Sequence, residues 1–85
     1  MANYRLQIKP SAAKEIEALP KQDRRRIVAR IQALATDPRP KGCEQLAGQD
    51  LYRVRQGNYR ILYTINDAAL LVVIYKIGHR REVYR

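Results

Sequence analysis

Residues 51–77, LYRVRQGNYRILYTINDAALLVVIYKI, decide the fold because they contain three strand-like segments separated by two turn signals. The segments are residues 51–55, 59–65 and 70–77, and they are rich in β-branched residues and tyrosine. Gln56-Gly57-Asn58 is a short glycine-bearing hairpin signal, and Asn66-Asp67 marks the next turn. The third segment is almost continuously apolar, which is typical of a strand in the middle of a sheet. An antiparallel three-strand meander is predicted.

A strand and two helices are predicted before this meander. Residues 4–9 alternate apolar and polar side chains, and Pro10 ends the strand. Ser11 is the expected N-cap of a short amphipathic helix over residues 12–19. Pro20 either ends this helix or begins the next one. The apolar stripe of the second helix consists of Ile27, Val28, Ile31, Leu34 and Ala35.

The order of these elements predicts an α+β fold. Asp37-Pro38-Arg39-Pro40 ends the second helix, because a residue before proline avoids the helical region. Residues 41–50 are expected to form a loop, and Gly78 is expected to break the last strand of the meander. A short final strand is predicted at residues 82–84. The N-terminal strand and the helix pair would then pack on a small antiparallel sheet.

Length and composition indicate a single globular domain over residues 1–85. Hydrophobic residues make up 46% of the chain, which is too many for a disordered protein. The longest apolar run, residues 68–75, is far shorter than the roughly 20 residues that cross a bilayer. The N-terminus lacks the apolar region of a secretory signal, and Cys43 is the lone cysteine. A cytoplasmic protein without membrane contact is predicted.

The charge predicts an anionic partner. Lys and Arg number 17 against 8 Asp and Glu, which leaves a net charge of +9. Twelve of the 17 are arginines, whose planar guanidinium fits phosphate oxygens better than an ammonium does. A nucleic acid or an acidic protein is therefore expected, although a basic surface that serves only solubility stays an alternative.

Strand periodicity places three arginines on one face. If the apolar faces pack on the helices, Arg53, Arg55 and Arg60 project from the opposite face. Like charges repel, so the cluster favours an anion site over a merely exposed basic face. The tail after Gly78 is expected to return His79, Arg80 and Tyr84 to the same side.

Other chemistries find little support in the sequence. One His and one Cys provide no cluster with metal-ligand spacing, so neither a metal nor another cofactor is predicted. Cys43 has no obvious base beside it. Tyr59, Tyr63 and Tyr75 are expected in the core, and Glu82 is expected to pair with an arginine.

Several short motifs together resemble the RelE/ParE toxin superfamily over essentially the whole chain. They are Leu19-Pro20, Asp37-Pro38, Leu46-Ala47-Gly48, Tyr52-Arg53-Val54-Arg55, Gly57-Asn58-Tyr59-Arg60-Ile61-Leu62-Tyr63 and Gly78-His79-Arg80-Arg81-Glu82-Val83-Tyr84. The tail resembles the RelE branch, whose members cut mRNA in the ribosomal A site. The resemblance implies a ribosome-dependent, metal-independent endoribonuclease. ParE-like relatives share the scaffold and act on DNA gyrase, so a gyrase inhibitor and an inactive nucleic-acid-binding relative are the alternatives.

The resemblance also implies roles for individual residues. Arg53 and Arg55 match basic positions that hold the mRNA backbone and support the reaction, and Arg55 is also counted among the catalytic residues. Arg60 and Arg80 match arginines that stabilise the scissile phosphate, and Tyr84 matches a tyrosine near the nucleophile. The other predicted site residues are His79 as acid or base, with a reference pKa near ~6.5, and Arg24, Arg25 and Arg81 as RNA contacts.

The expected partners follow from the same resemblance. They are the ribosome (16S rRNA), mRNA and a RelB-like antitoxin that forms a heteromeric complex with the toxin. An acidic antitoxin segment, disordered alone, would wrap the basic surface. DNA is expected only indirectly, through the antitoxin.

Overall fold

Two helices and a five-stranded sheet make up residues 3–48 and 50–79, which are the residues described by the computed structural model. In chain order the elements are β1 (Arg5–Ile8), α1 (Pro10–Glu17), α2 (Lys21–Thr36), β2 (Glu44–Gln45), β3 (Leu51–Gln56), β4 (Tyr59–Asn66) and β5 (Leu71–His79). The strand order is β1-β5-β4-β3-β2. The predicted α+β class is confirmed, and β5 is an inner strand as expected.

The sheet is mixed, which corrects the prediction of a purely antiparallel one. β1 joins its edge and runs parallel to β5, with Arg5 opposite Leu71 and Ile8 opposite Ile74. The other pairings are antiparallel. The hairpin between β3 and β4 turns at Gly57, whose φ of +60° is a conformation that glycine adopts without steric cost.

Two prolines determine where the helices begin. Pro10 is the first residue of α1, and Lys9 occupies the N-cap position without a capping side-chain bond. The predicted Ser11 cap is therefore wrong, because the fixed φ of proline suits the first helical turn and the helix starts two residues earlier, at Pro10. Pro20 lies at the N-cap of α2, so it introduces the second helix.

The core lies between the two helices and one face of the sheet. Its fully or nearly buried side chains are Ala12, Ile16, Ile27, Ile31, Leu34, Val54, Ile61, Tyr63, Val72, Ile74 and Ile77. The predicted α2 stripe is correct for its three buried members, but Val28 is 37% exposed. Among the described residues, neither helix is long and apolar enough to span a membrane.

Two predictions about loops and strand ends are wrong. The segment predicted as loop contains β2, a two-residue strand in which Glu44 pairs with Arg53 and Gln45 with Tyr52. Gly78 does not break β5, which continues to His79, and Gly78 lies opposite Arg60.

A register shift interrupts β5 at Tyr75. Leu62 pairs with Lys76 while its neighbour Tyr63 pairs with Ile74, so Tyr75 is the extra residue of a bulge. The prediction of a core position for Tyr75 is wrong, since this residue is 40% exposed and Lys9 Nζ lies 4.6 Å from its ring centre. From Lys76 onward, the bulge exchanges the faces to which alternate side chains of β5 belong.

Tyr63 fastens the segment between α2 and β2 to the sheet. This side chain is fully buried, as predicted, and its hydroxyl donates a hydrogen bond to the carbonyl oxygen of Pro38 at 2.7 Å. The Sγ of Cys43 lies 3.1 Å from the same hydroxyl oxygen. Burial and the neighbouring Cys43 raise the pKa of Tyr63, so the phenol stays neutral and serves as a structural hydrogen-bonding group.

A second set of hydrogen bonds joins the turn between β4 and β5 to the residue before β1 and to the segment after α2. Asp67 accepts hydrogen bonds from the Arg39 guanidinium at 2.9 and 3.1 Å and from the Tyr4 hydroxyl at 2.6 Å. The hydrogen bond from Arg39, followed by that from Tyr4, lowers the pKa of Asp67 from 3.8 to about 2.

Asp67→Asn is expected to reduce the loss of stability in acid. A carboxyl group whose pKa is lower in the folded state stabilises the protein above its unfolded pKa, and this contribution disappears as the pH falls through its folded pKa. The advantage of the unmodified protein over Asp67→Asn should therefore be constant above about pH 4 and shrink toward pH 2. Thermal unfolding followed by circular dichroism between pH 2 and 7 tests this. A difference that stays constant over that range would contradict it, and Glu17→Gln provides the control for removal of an exposed carboxylate.

Candidate nucleic-acid interface

Three arginines meet on the sheet face that points away from the helices. Arg55 lies directly opposite Arg60 in the pairing of β3 with β4, and Arg53 lies two positions before Arg55. Val54 and Ile61, which alternate with these arginines, are buried against the helices. The predicted common side of Arg53, Arg55 and Arg60 is therefore confirmed, and we call it the arginine face.

Burial of the cations differs across the arginine face. Arg60 is 6% exposed and lies on β4, the middle strand of the sheet, between β3 and β5. The side chain of Arg53 is 12% exposed, whereas Arg55 is exposed. Like charges directly opposite each other on neighbouring strands destabilise a sheet. The strand pairing thus groups three guanidinium groups on one face, which is an arrangement that suits the binding of an anion.

Glu44 joins the arginine face from the edge of the sheet. β2 places it opposite Arg53, and the two side chains form an ion pair. The hydrogen bond and then the charge of Arg53 lower the pKa of Glu44, and the charges of Arg55 and Arg60 add to this. The carboxylate is therefore ionised at neutral pH and is a weak proton acceptor.

Glu44 also lines a cleft between the sheet edge and α2. The other lining residues are Arg30, Gly42, Cys43 and Arg55. Arg30 comes from α2, so the cleft brings a helix cation close to the arginine face. Neither Glu44 nor Arg30 is among the site residues predicted from the sequence. A two-residue strand is too short to show a period, and no sequence pattern connects position 30 to the sheet edge.

His79 lies on the other face of the sheet, which corrects the predicted convergence with the arginines. It pairs with Tyr59 across β4 and β5, and the two rings meet edge to face with centroids 5.6 Å apart. Together with Glu15, Leu19 and Ile77, it lines a cleft beside α1. The bulge at Tyr75 is the physical reason, because it moves Ile77 and His79 to the helix side and leaves Gly78 opposite Arg60.

The remaining predicted site residues are divided between the helix layer and the undescribed tail. Arg24 and Arg25 lie on α2, where Arg25 is exposed and Arg24 half-buried, so they are separate from the arginine face. Arg80, Arg81, Tyr84 and the predicted strand at 82–84 lie outside the described residues. Within residues 3–48 and 50–79, no three His, Cys, Asp or Glu residues are grouped as a metal site.

Glu15 fixes the end of β5 that carries His79. Its carboxylate accepts hydrogen bonds from Lys76 Nζ and from the Ile77 backbone N–H, both at 2.9 Å. β1 pairs with β5 only as far as Ile74, so beyond that point α1 takes over the role of neighbour to this strand.

The comparisons with known proteins agree with this architecture. The family described as the ParE toxin of the type II toxin–antitoxin system, parDE, matches residues 6–84. A Methanocaldococcus jannaschii protein described as a RelE1 toxin is 29% identical over 86 residues, covering 96% of each chain.

Solved structures extend the similarity to the fold. The chain superposes with a TM-score of 0.84 on a chain of the RelBE2 toxin–antitoxin complex from Mycobacterium tuberculosis, at 26% identity and 96% and 97% coverage. It superposes with a TM-score of 0.81 on a chain of the archaeal RelE–RelB complex from Pyrococcus horikoshii, at 30% identity and 94% and 98% coverage. The chain therefore belongs to the RelE/ParE toxin superfamily, as a RelE-like toxin of a toxin–antitoxin system.

Proposed function

We propose that the protein is a ribosome-dependent endoribonuclease that cuts mRNA in the ribosomal A site and so inhibits translation in the cytoplasm. The observation that carries this proposal is the arginine face, where Arg53, Arg55 and Arg60 are held together on paired strands despite their repulsion. Such a surface matches a phosphodiester backbone. The RelE-type relatives support the choice of mRNA over other polyanions.

The proposed reaction needs no metal, because arginine can supply the charge stabilisation. Cleavage requires removal of the 2′-hydroxyl proton, relief of charge on the pentavalent phosphate and protonation of the leaving 5′-oxygen. Arg60 would serve the second requirement, since a fixed donor to developing charge is worth roughly 3–4 kcal/mol. Arg53 and Arg55, both on β3 beside Arg60, would hold the RNA backbone.

The tail would complete the site. Arg80 is proposed as a second donor to the scissile phosphate and Tyr84 as the group near the nucleophile. If substrate binding brings Tyr84 beside arginines, their positive charges would favour the phenolate that a proton acceptor near the nucleophile requires. Neither role involves His79, which lies on the helix side.

A RelB-like antitoxin is the proposed partner. The toxin–antitoxin complexes among the structural neighbours support this, and so does the net charge of +9, which attracts an acidic segment. A segment that is disordered alone and folds on the toxin covers a large surface and leaves this surface when it is degraded. In the complex such a segment would neutralise the basic surface and inhibit the toxin.

Toeprinting of an mRNA on purified ribosomes, with and without the protein, tests the proposed activity. We expect cuts within the A-site codon only when ribosomes are present, and no cuts in free RNA. Arg80→Ala and Tyr84→Phe should slow these cuts. Cleavage at the wild-type rate by both variants would show that Arg80 and Tyr84 have no part in the reaction. The absence of cuts in every sample would contradict the proposed nuclease activity.

Inhibition of DNA gyrase by binding is the second candidate. The match to the ParE toxin family favours it, since ParE-like proteins share the scaffold. A gyrase cleavage assay distinguishes the two candidates: stabilised DNA breaks without ribosomal cuts would assign the protein to the gyrase inhibitors.

A further inference from the structure

One carboxylate occupies the place where the proposed function needs a phosphate. Among the residues that the structure describes, Glu44 is the acid that ion-pairs with an arginine of the arginine face. The side chain of Glu44 is 57% exposed, whereas that of Arg53 is 12% exposed. A largely solvated carboxylate is therefore paired with an arginine side chain that is mostly buried. The positive charges of Arg55 and Arg60 also stabilise the ionised Glu44 carboxylate.

A carboxylate and a phosphodiester present the same feature to arginine. Each offers two oxygen acceptors that a guanidinium can bind in a parallel pair of hydrogen bonds. Because the Glu44 carboxylate is largely exposed to water, it can leave Arg53 and be hydrated when another anion arrives. The cleft that Glu44 lines is also lined by Arg30 and Arg55, so an anion that enters it meets two further cations beside Glu44.

We propose that Glu44 is a built-in competitor of the RNA phosphate, which occupies Arg53 in the free toxin and gives way when the substrate binds. This inference rests on the proposed function for its choice of RNA as the ligand. Its consequence is selectivity for substrate that is presented with many contacts. A free RNA strand bears the cost of displacing Glu44 with few compensating contacts, whereas mRNA held in a ribosome gains further contacts from its surroundings.

Binding of a non-cleavable RNA tests the competitor directly. The probe is a fluorescently labelled, fully 2′-O-methylated oligonucleotide, and its anisotropy reports affinity without any cleavage. The variant is Glu44→Gln, which keeps the shape of the side chain and removes its charge. The matched control is Glu17→Gln, which removes one negative charge from an exposed position on α1. Circular dichroism confirms that each variant is folded, and Glu44→Asp provides a second, shorter-armed variant.

Glu44→Gln is expected to bind the probe about fivefold more tightly than Glu17→Gln, because no carboxylate then competes with the phosphate for Arg53. The slope of log affinity against log salt should steepen by about one, since the variant no longer supplies the Glu44 carboxylate that the phosphate must displace. In an Arg53→Ala background, Glu44→Gln should lose most of this advantage.

Two results would overturn the inference. Equal affinity of Glu44→Gln and Glu17→Gln would show that Glu44 has no role in binding. Weaker binding by Glu44→Gln would show that Glu44 orients Arg53 for the RNA and does not compete with it. The proposed function fails separately: tighter binding by Glu44→Gln combined with no ribosomal cuts keeps the competitor and rejects the nuclease.

Discussion

Arg60→Ala is expected to slow ribosomal mRNA cleavage by about 10²–10³-fold while the protein remains folded. The reason is the position of Arg60, a residue that is 6% exposed and lies on the middle strand of the sheet. A donor held rigidly toward developing charge stabilises the transition state more than the ground state. Removal of the cation also relieves its repulsion with Arg55, which limits the loss of stability.

Single-turnover cleavage on programmed ribosomes measures this effect. Arg26→Ala is the matched control, because it removes an exposed cation from α2 on the other side of the sheet. Arg60→Lys keeps the charge without the planar fork and should give an intermediate rate. A wild-type rate for Arg60→Ala would exclude Arg60 from the site, and loss of the folded circular dichroism spectrum would instead make the residue structural.

Ile61→Ala, one residue further along β4, is expected to lower the free energy of unfolding by about 2–5 kcal/mol. Ile61 is fully buried and lies between Val54 on β3 and Ile77 on β5. Its truncation leaves a cavity that the paired backbones of three strands cannot close. Since small domains are stable by only about 5–15 kcal/mol, this is a large share of the total.

Urea unfolding measures the change through a lower midpoint at an unchanged slope. Ile8→Ala is the control, because Ile8 lies on the edge strand β1 and is 42% exposed. Its cost should be much smaller. An equal cost for the two variants would mean that the centre of the core does not lie where the buried residues place it.

The sequence predicted those features that repeat over several residues. The alternation in residues 51–55 and 59–65 was long enough to give the strands, their hairpin and the common face of three arginines. The apolar residues of α2 recur over several turns, so their burial and the end of the helix before two prolines were predictable.

The features that the sequence could not predict each depend on one or two residues. Glu44 and Gln45 form a strand only because β3 offers them a partner, and two residues show no period. The bulge at Tyr75 leaves no mark in a continuously apolar segment, yet it decides the face to which His79 belongs. The place of β1 beside β5 is a tertiary choice, since periodicity identifies a strand but not its neighbour.

The parallel pairing of β1 with β5 has a consequence for the order of folding. β1 is synthesised first among the described elements, and its strand partner is synthesised last. Pairing β1 with β5 closes a long loop of chain, which costs conformational entropy before this edge of the sheet can form. Such non-local pairing slows folding. The hairpin of β3 and β4, by contrast, is local and carries Arg53, Arg55 and Arg60. The cationic cluster can therefore assemble early during synthesis, while the sheet that makes it rigid is completed only after β5 has emerged.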